Sequence, residues 1–137
     1  MSTRRDTALV GRFAEYASAV EVGIGRRPDV AAGLVDAGVS VTATDVVDRD
    51  VPPQVPFVRD DIVVASERDH PGGTYEAALL YGLNLPPELH RPALDVARAV
   101  GADFLFTTLG YDSPTVPCET TSLSGRGTLY LGRRADG

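Results

Sequence analysis

A glycine turn and a later aspartate are the residues of this chain whose types and spacing point most directly to chemistry. Gly23 and Gly25 follow a short apolar run and precede Pro28, a residue suited to the first turn of a helix. Glycine lets the chain bend tightly and lets a ligand approach the backbone, and the next helix offers free N–H groups. Asp45 stands 20 residues after Gly25, at the end of the next apolar run. A carboxylate there can accept hydrogen bonds from two ribose hydroxyls, so the spacing predicts an adenosine-type ligand in an open crevice between Gly25 and Asp45.

The same residues also have a plainer interpretation. The glycines could make only a turn, and Asp45 could be a solvated strand end. Arg26 and Arg27 could pair with the carboxylate or phosphate of a ligand, or could simply lie in solvent. Thr107, which follows a later apolar run, could line the same crevice.

Alternating strand-like and helix-like segments would position these residues. Segments rich in apolar or β-branched residues are predicted to be strands, at residues 20–24, 39–47, 57–62, 75–82, 102–109 and 128–131. Helices are predicted over residues 3–18, 28–37 and 86–100, with a loop or short helix at 62–74 and a turn-rich segment at 110–126. The alternation predicts a Rossmann-like three-layer α/β sandwich with a mainly parallel sheet, in a single domain over residues 1–137. Ligands of such folds bind at the carboxyl ends of the strands, where the glycine turn and Asp45 would lie.

Composition limits the kinds of partner that the chain can have. The net charge is −6 and all 13 basic residues are arginine, which suits a salty, halophilic cytosol, although genomic base composition could also favour arginine. The excess of acid argues against nucleic acid as a partner. No apolar run approaches the roughly 18 residues of a membrane span, and Met1 and the residues after it lack the core of a signal peptide, so a cytoplasmic protein is expected. Two histidines and one cysteine make no zinc site by number or spacing, and His90 is expected at a helix surface or cap.

At these positions the chain resembles the class I S-adenosylmethionine (SAM)-dependent methyltransferases. The run Glu21-Val22-Gly23-Ile24-Gly25 corresponds to their first motif, Asp45 to the second, and Asp60 or Asp61 to the third. Over about residues 8–132 the chain is also similar to an uncharacterised, mainly archaeal family of short methyltransferase-like proteins. Further cues to that family are the runs at residues 84–89 and 100–103.

The resemblance implies SAM as the cofactor, with Gly23, Gly25, Asp45 and Asp61 positioning it. Glu21 would lie near its amino acid part. Arg27 replaces the third glycine of the family's loop, so a bulky side chain stands where the methionine part would approach.

Two further residues are expected beside the cofactor. Tyr81 and Asn84 end the fourth strand, which the resemblance places next to the first. The run Asn84-Leu85-Pro86-Pro87 is similar to the Asn-Pro-Pro-aromatic motif of amino-group methylases, but it has an extra leucine, and a proline pair more often only starts a helix. No catalytic residue is assigned.

The preferred hypothesis is a SAM-binding, methyltransferase-like protein whose substrate is unknown. One alternative is a non-catalytic regulatory module that binds NAD or another nucleotide, and another is a scaffold domain with a degenerate pocket. The fold is expected to be truncated, without the final hairpin of the methyltransferases and without a substrate domain. A homodimer formed through the shortened sheet edge, or a partner chain, could then complete the site.

Overall fold

The computed structural model describes residues 3–123 and 127–132. Residues 1–2, 124–126 and 133–137 of the expected single domain, including Met1 and part of the predicted turn-rich segment, lie outside this part of the chain. The described helices are α1 (Arg4–Phe13), α2 (Asp29–Asp36), α3 (Ile62–Glu67) and α4 (His90–Val100). The described strands are β1 (Ser18–Val22), β2 (Ser40–Asp45), β3 (Phe57–Arg59), β4 (Leu79–Gly82), β5 (Asp103–Phe106), β6 (Cys118–Ser122) and β7 (Thr128–Gly132). Among these residues no helix is long and apolar enough to cross a membrane.

The strands form one mainly parallel sheet in the order β3-β2-β1-β4-β5-β7-β6. Strands β1 to β5 pair in parallel, and β7 runs antiparallel to both of its neighbours. Helices α1 and α2 pack on one face, and α3 and α4 pack on the other. The predicted three-layer sandwich is therefore confirmed. The order reverses between β1 and β4, which marks the carboxyl ends of these strands as the expected ligand crevice.

Alternation along β1 decides which side of the sheet carries its acid. Val20 and Val22 belong to the core beneath α3 and α4, whereas Ala19 belongs to the core beneath α1 and α2. Because successive side chains of a strand point to opposite faces, Glu21 shares the face of Ala19. The acid of β1 is thereby placed under α1.

Helix α1 begins as the sequence predicts but ends earlier. The Thr3 hydroxyl accepts the Asp6 N–H at 2.9 Å, and the Asp6 carboxylate accepts the Thr3 N–H at 3.2 Å, which completes a capping box. The helix ends at Phe13 rather than at residue 18, because Ser18 already pairs with Ser40 in the sheet. Its buried Phe13 packs on the ring of Tyr81, with the ring centroids 4.6 Å apart.

The fourth strand is shorter than the predicted range 75–82, since β4 begins at Leu79. Tyr75 ends a short 3₁₀ turn instead, and its side chain is buried with the hydroxyl donating to Asp60 at 2.8 Å. The segment before Leu79 has an apolar sequence because Tyr75 is buried, and this apolar sequence is why the strand was predicted to begin at residue 75.

The expected absence of the final hairpin is wrong, because β6 and β7 form it. Residues 128–131 are a strand as predicted, but β6 lies inside the segment that was expected to be only turns. Its sequence is Cys-Glu-Thr-Thr-Ser and its last four residues are exposed, so it lacks the apolar pattern by which a buried strand is found. The connection from β5 to β6 carries no helix. Since β7 and β6 cover β5, the argument for a homodimer through an open edge beside β5 no longer holds.

His90 is a core residue rather than a surface or capping group. It is 0% exposed, its Nε2 lies 2.9 Å from the Leu85 carbonyl oxygen, and its Nδ1 accepts the Thr115 N–H at 3.2 Å. This pairing requires the proton on Nε2. The ring therefore joins the turn after β4 to the loop after β5, both of which border the carboxyl ends of the strands.

Candidate functional site

The glycine turn after β1 has the backbone conformation that the sequence predicts. Gly23 and Gly25 have φ values of +69° and +60°, a region that side chains other than glycine and asparagine rarely adopt. Between them the Ile24 N–H donates to the Thr44 carbonyl at 3.0 Å, which holds the turn against β2. Apart from the residues adjacent in sequence, no atom of the described residues lies within 4 Å of the place that a Cβ would take at either glycine. The backbone is therefore open to a ligand on that side.

Asp45 contacts this turn directly, and the open crevice expected between them is closed. One oxygen, Oδ2, accepts the Gly25 N–H at 2.8 Å and the Arg49 Nε–H at 3.1 Å. The other oxygen, Oδ1, accepts the Val46 N–H at 2.7 Å. The carboxylate faces the glycines as predicted, but a sugar cannot lie between groups that already share a hydrogen bond.

A cavity of about 490 Å³ opens instead between the glycine turn and the N-terminal part of α1. Three parts of the chain supply its wall: α1, the segment from the glycine turn into α2, and the carboxyl ends of β1, β4 and β5. The lining residues from α1 and its N-cap are Thr3, Arg5, Asp6 and Leu9; those of the glycine segment are Gly23, Ile24, Gly25, Arg26, Arg27, Asp29 and Val30; those of the strand ends are Glu21, Leu83, Asn84 and Thr107.

The floor of the cavity carries a buried acid. Glu21 is 1% exposed, and its Oε1 accepts the hydroxyl of Tyr81 at 2.7 Å. Burial raises the pKa of Glu21 to about 8, the hydrogen bond from Tyr81 partly opposes this, and the negative charge of Asp45 adds to it. Burial and the neighbouring Glu21 also hold the pKa of Tyr81 well above its usual value. These shifts favour the protonated form of Glu21 at neutral pH.

Asn84 lies at the carboxyl end of β4 with a backbone conformation that is unusual outside glycine. Its φ is +50°, and its N–H donates to the Thr107 hydroxyl at 2.8 Å. The Leu85 N–H bonds the Thr107 carbonyl at 2.9 Å, so β4 and β5 stay joined beyond their last ladder pair. Asparagine tolerates this conformation better than most residues, which accounts for its presence at the turn.

Arginines give the cavity wall a cationic character. Arg26 and Arg27 are exposed and line its outer part, and Arg27 does not fill the space beside Gly25. Arg5 of α1 also lines the cavity, and its Nε is shielded from solvent and has no hydrogen-bond partner among the described residues. Asp6 and Asp29 lie among these cations, but Glu21 adds no charge while it is protonated.

Three of the predicted site residues do not line the cavity: Asp45, Asp61 and Tyr81. Asp61 is the N-cap of α3 and accepts the Val63 N–H at 2.8 Å. Tyr81 is fully buried and reaches the cavity only through Glu21. The other five, Glu21, Gly23, Gly25, Arg27 and Asn84, share the wall.

Asp60, the alternative to Asp61 in the third motif, is held by structural contacts. Its carboxylate accepts Arg68 Nη2 at 3.0 Å and the Tyr75 hydroxyl at 2.8 Å. Burial alone would raise the pKa of Asp60, but these bonds outweigh it and lower the pKa. Asp60 therefore stabilises the segment between α3 and β4 through these hydrogen bonds.

Sequence reasoning missed the contribution of α1 to the cavity. The capping box shows where the helix starts, but no residue of α1 indicates which strand end the helix covers. Arg4 and Arg5 are both cations in the first turn, where the helix dipole disfavours positive charge, but of the two Arg5 alone lines the cavity, and the sequence does not distinguish them.

Comparison with protein families and their members gives consistent results. The profile of the uncharacterised protein family UPF0146 matches residues 7–135. A UPF0146 protein of Halobacterium salinarum is 46% identical over 124 residues, which is 90% of this chain and 92% of that protein. A UPF0146 protein of Archaeoglobus fulgidus is 43% identical over 90 residues, or 66% of each chain. The expected resemblance to an archaeal family is confirmed.

Several solved structures with a similar fold are methyltransferases. The TM-score is 0.61 for an O-methyltransferase family protein from Burkholderia thailandensis, with 16% identity, covering 95% of this chain and 55% of that one. It is 0.63 for human N-acetylserotonin methyltransferase in complex with SAM, with 11% identity and coverages of 96% and 51%. It is 0.60 for a TehB-like SAM-dependent methyltransferase from Corynebacterium glutamicum, with 18% identity and coverages of 93% and 85%. At these identities the likeness shows the methyltransferase-like fold alone, and the chain spans about half of the first two proteins.

The pKa of Glu21 predicts how stability depends on pH. Its folded value of about 8 lies above the ordinary 4.5, so the folded chain holds a proton that the unfolded chain releases. This contribution to the free energy of unfolding is fully present below about pH 4.5 and is lost as pH rises towards 8. Urea unfolding at fixed KCl should therefore show wild-type stability falling between pH 5 and 8, and Glu21→Gln should flatten that slope. Parallel pH profiles for the two proteins would contradict the assignment.

The positive φ of Asn84 predicts that two substitutions that both remove its side-chain amide will differ in their free energy of unfolding. Asn84→Ala should lower the free energy of unfolding by about 1 kcal/mol, since alanine is strained at positive φ. Asn84→Gly should cost only a few tenths of a kcal/mol, because glycine adopts this conformation freely. Thermal and urea denaturation of the two variants checks this, and equal stability would mean that φ at residue 84 is not positive in solution.

Proposed function

The chain belongs to the uncharacterised protein family UPF0146, and from that premise we propose that it binds SAM or S-adenosylhomocysteine in the cavity beside the glycine turn. The observation that carries the proposal is the position of this cavity, at the carboxyl ends of β1, β4 and β5, with the open backbone of Gly23 and Gly25 in its wall. Its volume of about 490 Å³ lies in the range of small-molecule sites.

The sheet order favours a SAM-type site over the dinucleotide alternative. Dinucleotide-binding Rossmann domains have the strand order 3-2-1-4-5-6. Here an antiparallel β7 stands between β5 and β6, as part of the order β3-β2-β1-β4-β5-β7-β6. The solved structures of similar fold include proteins with SAM or S-adenosylhomocysteine bound. Both observations favour SAM over NAD as the ligand.

The residues of the cavity suit the amino acid part of the proposed ligand. An α-ammonium group would find Glu21, which gains a favourable partner by ionising on the cavity floor. An α-carboxylate would find Arg27 at the rim, where the guanidinium can form charge-assisted hydrogen bonds. Tyr81 would act as a positioning residue, since its hydroxyl holds Glu21 in place.

The adenosine part would lie toward β2 and β3, over Asp45 and Asp61. Asp45 already faces the glycine turn and keeps its carboxylate at the strand end. Val46 and Val47, which follow it, are 54% and 44% exposed, and apolar side chains there could cover one side of a base. We include Asp61 in the proposal as the acid after β3.

SAM when bound supplies a methyl group on a positively charged sulfur, for transfer to a nucleophile held in line with it. The task of this chain would then be binding and orientation, which can account for much of the rate of such a transfer. Asn84, fixed at the carboxyl end of β4 by Thr107, is the residue that we propose to border the reacting groups. The acceptor is not assigned.

Calorimetric titration of S-adenosylhomocysteine tests the proposal, with two glycine substitutions that strain the backbone alike. Gly25→Ala should lower stability by about 1 kcal/mol and also weaken binding at least tenfold, because its Cβ would enter the ligand's space. Gly101→Ala is the matched control, since Gly101 has a φ of +75° at the end of α4, away from the cavity. It should lose similar stability and keep its affinity. No heat with millimolar SAM or S-adenosylhomocysteine, or equal affinity for both variants, would overturn the proposal.

A further inference from the structure

One donor to the Asp45 carboxylate is unlike the other two. The N–H groups of Gly25 and Val46 belong to the backbone and cannot leave without unfolding the strand ends. The third donor is the Arg49 side chain, four residues along, whose Nε lies 3.1 Å from Oδ2 and which is 28% exposed. A long, partly exposed side chain can swing into solvent at little cost. Arg49 is thus the displaceable partner of Asp45.

The hydrogen-bond acceptor positions of the Asp45 carboxylate show what displacement of Arg49 would make available to a ligand. Each carboxylate oxygen can accept about two hydrogen bonds. Oδ2 accepts from Gly25 and Arg49, while Oδ1 accepts, among the described residues, only the Val46 N–H and has a position left. The two neighbouring hydroxyls of a ribose need one position on each oxygen. With Arg49 in place only one hydroxyl can be accepted, and with Arg49 displaced both can.

We propose that Arg49 competes with the ribose of an adenosine ligand for Oδ2 of Asp45 and thereby sets the affinity of the site. This rests on the proposed function, because it concerns the adenosine end of the same ligand. Asp45 is only 7% exposed although it lies at the expected ligand edge of the sheet, and the competition accounts for this because Arg49 covers the carboxylate until a ligand displaces it. Partly exposed ion pairs are weak, so Arg49 should lower the affinity by roughly two- to fivefold.

Salt dependence follows from the same competition. High ionic strength screens an exposed ion pair and so favours its opening. The affinity for an uncharged ligand such as 5′-methylthioadenosine should therefore rise between 0.1 and 2 M KCl more steeply in the wild type than in a variant without Arg49. An uncharged ligand has no ion pairs of its own that salt could weaken.

The test is titration of S-adenosylhomocysteine and 5′-methylthioadenosine into the wild type, Arg49→Gln and Arg59→Gln. Arg59 is the matched control, because it lies on the neighbouring β3 and its Nε donates to the Val46 carbonyl at 3.2 Å rather than to Asp45. We expect Arg49→Gln to bind both ligands roughly two- to fivefold more tightly with a flatter salt dependence. Arg59→Gln should match the wild type.

Adenosine and its deoxy forms supply an independent readout. Arg49→Gln should raise the affinity for adenosine. It should leave unchanged the affinity for one of the two deoxy forms, 2′-deoxyadenosine or 3′-deoxyadenosine, because that form lacks the hydroxyl that would bind Oδ2. The competition is refuted if the wild type binds S-adenosylhomocysteine and Arg49→Gln binds it equally or more weakly. It is also refuted if Arg59→Gln raises the affinity as much as Arg49→Gln does. In both cases the proposed function stands. If no protein of the set binds any of these ligands at millimolar concentration, the proposed function itself fails.

Discussion

The hydrogen bond from the Gly25 N–H to the Asp45 carboxylate is the contact around which the ligand edge of this molecule is arranged. It joins Asp45, the last residue of β2, to Gly25, which follows the end of β1 at Val22, and it holds the left-handed turn at Gly23 and Gly25. Because the turn is fixed, α2 begins at a defined distance from the sheet, and the backbone of the turn faces the cavity rather than the core. The same bond makes Asp45 a structural residue first. Any ligand that uses this carboxylate must share it with the backbone.

Helix α1 turns that edge into an enclosed site. Its buried residues Leu9 and Phe13 pack over the face of the sheet that carries Glu21 and Tyr81. A carboxyl group sealed in this way is costly to ionise, and the single hydroxyl of Tyr81 offsets only part of that cost. A stability optimum would favour an apolar side chain at residue 21. A buried acid is more typical of a functional site than of an apolar core.

Local chemistry made some of this architecture predictable. The capping box at Thr3 and Asp6, the glycine turn and the left-handed Gly101 at the end of α4 all depend on residues near one another in sequence, and the glycine turn forms as expected. The features that were missed depend on distant packing. His90 is buried only because the loop after β5 folds over it, and β6 is a strand only because β7 offers it an antiparallel partner. Of the site, the glycines and Asp45 could be found from spacing, whereas the role of α1 and the Arg49 contact could not.

The polar character of β6 matters for a protein with a halobacterial relative. This strand forms one border of the sheet, and its outer backbone groups are a template on which another chain could add. In dilute buffer a net charge of −6 would keep molecules apart, but at about 1 M salt such repulsion extends only about 3 Å. Protection must then come from the border strand itself. Glu119, Thr120, Thr121 and Ser122 provide it, because these exposed side chains bind water and offer no apolar face to an approaching strand. In molar salt, protection of this edge would therefore depend on four exposed polar residues of β6 rather than on the overall charge.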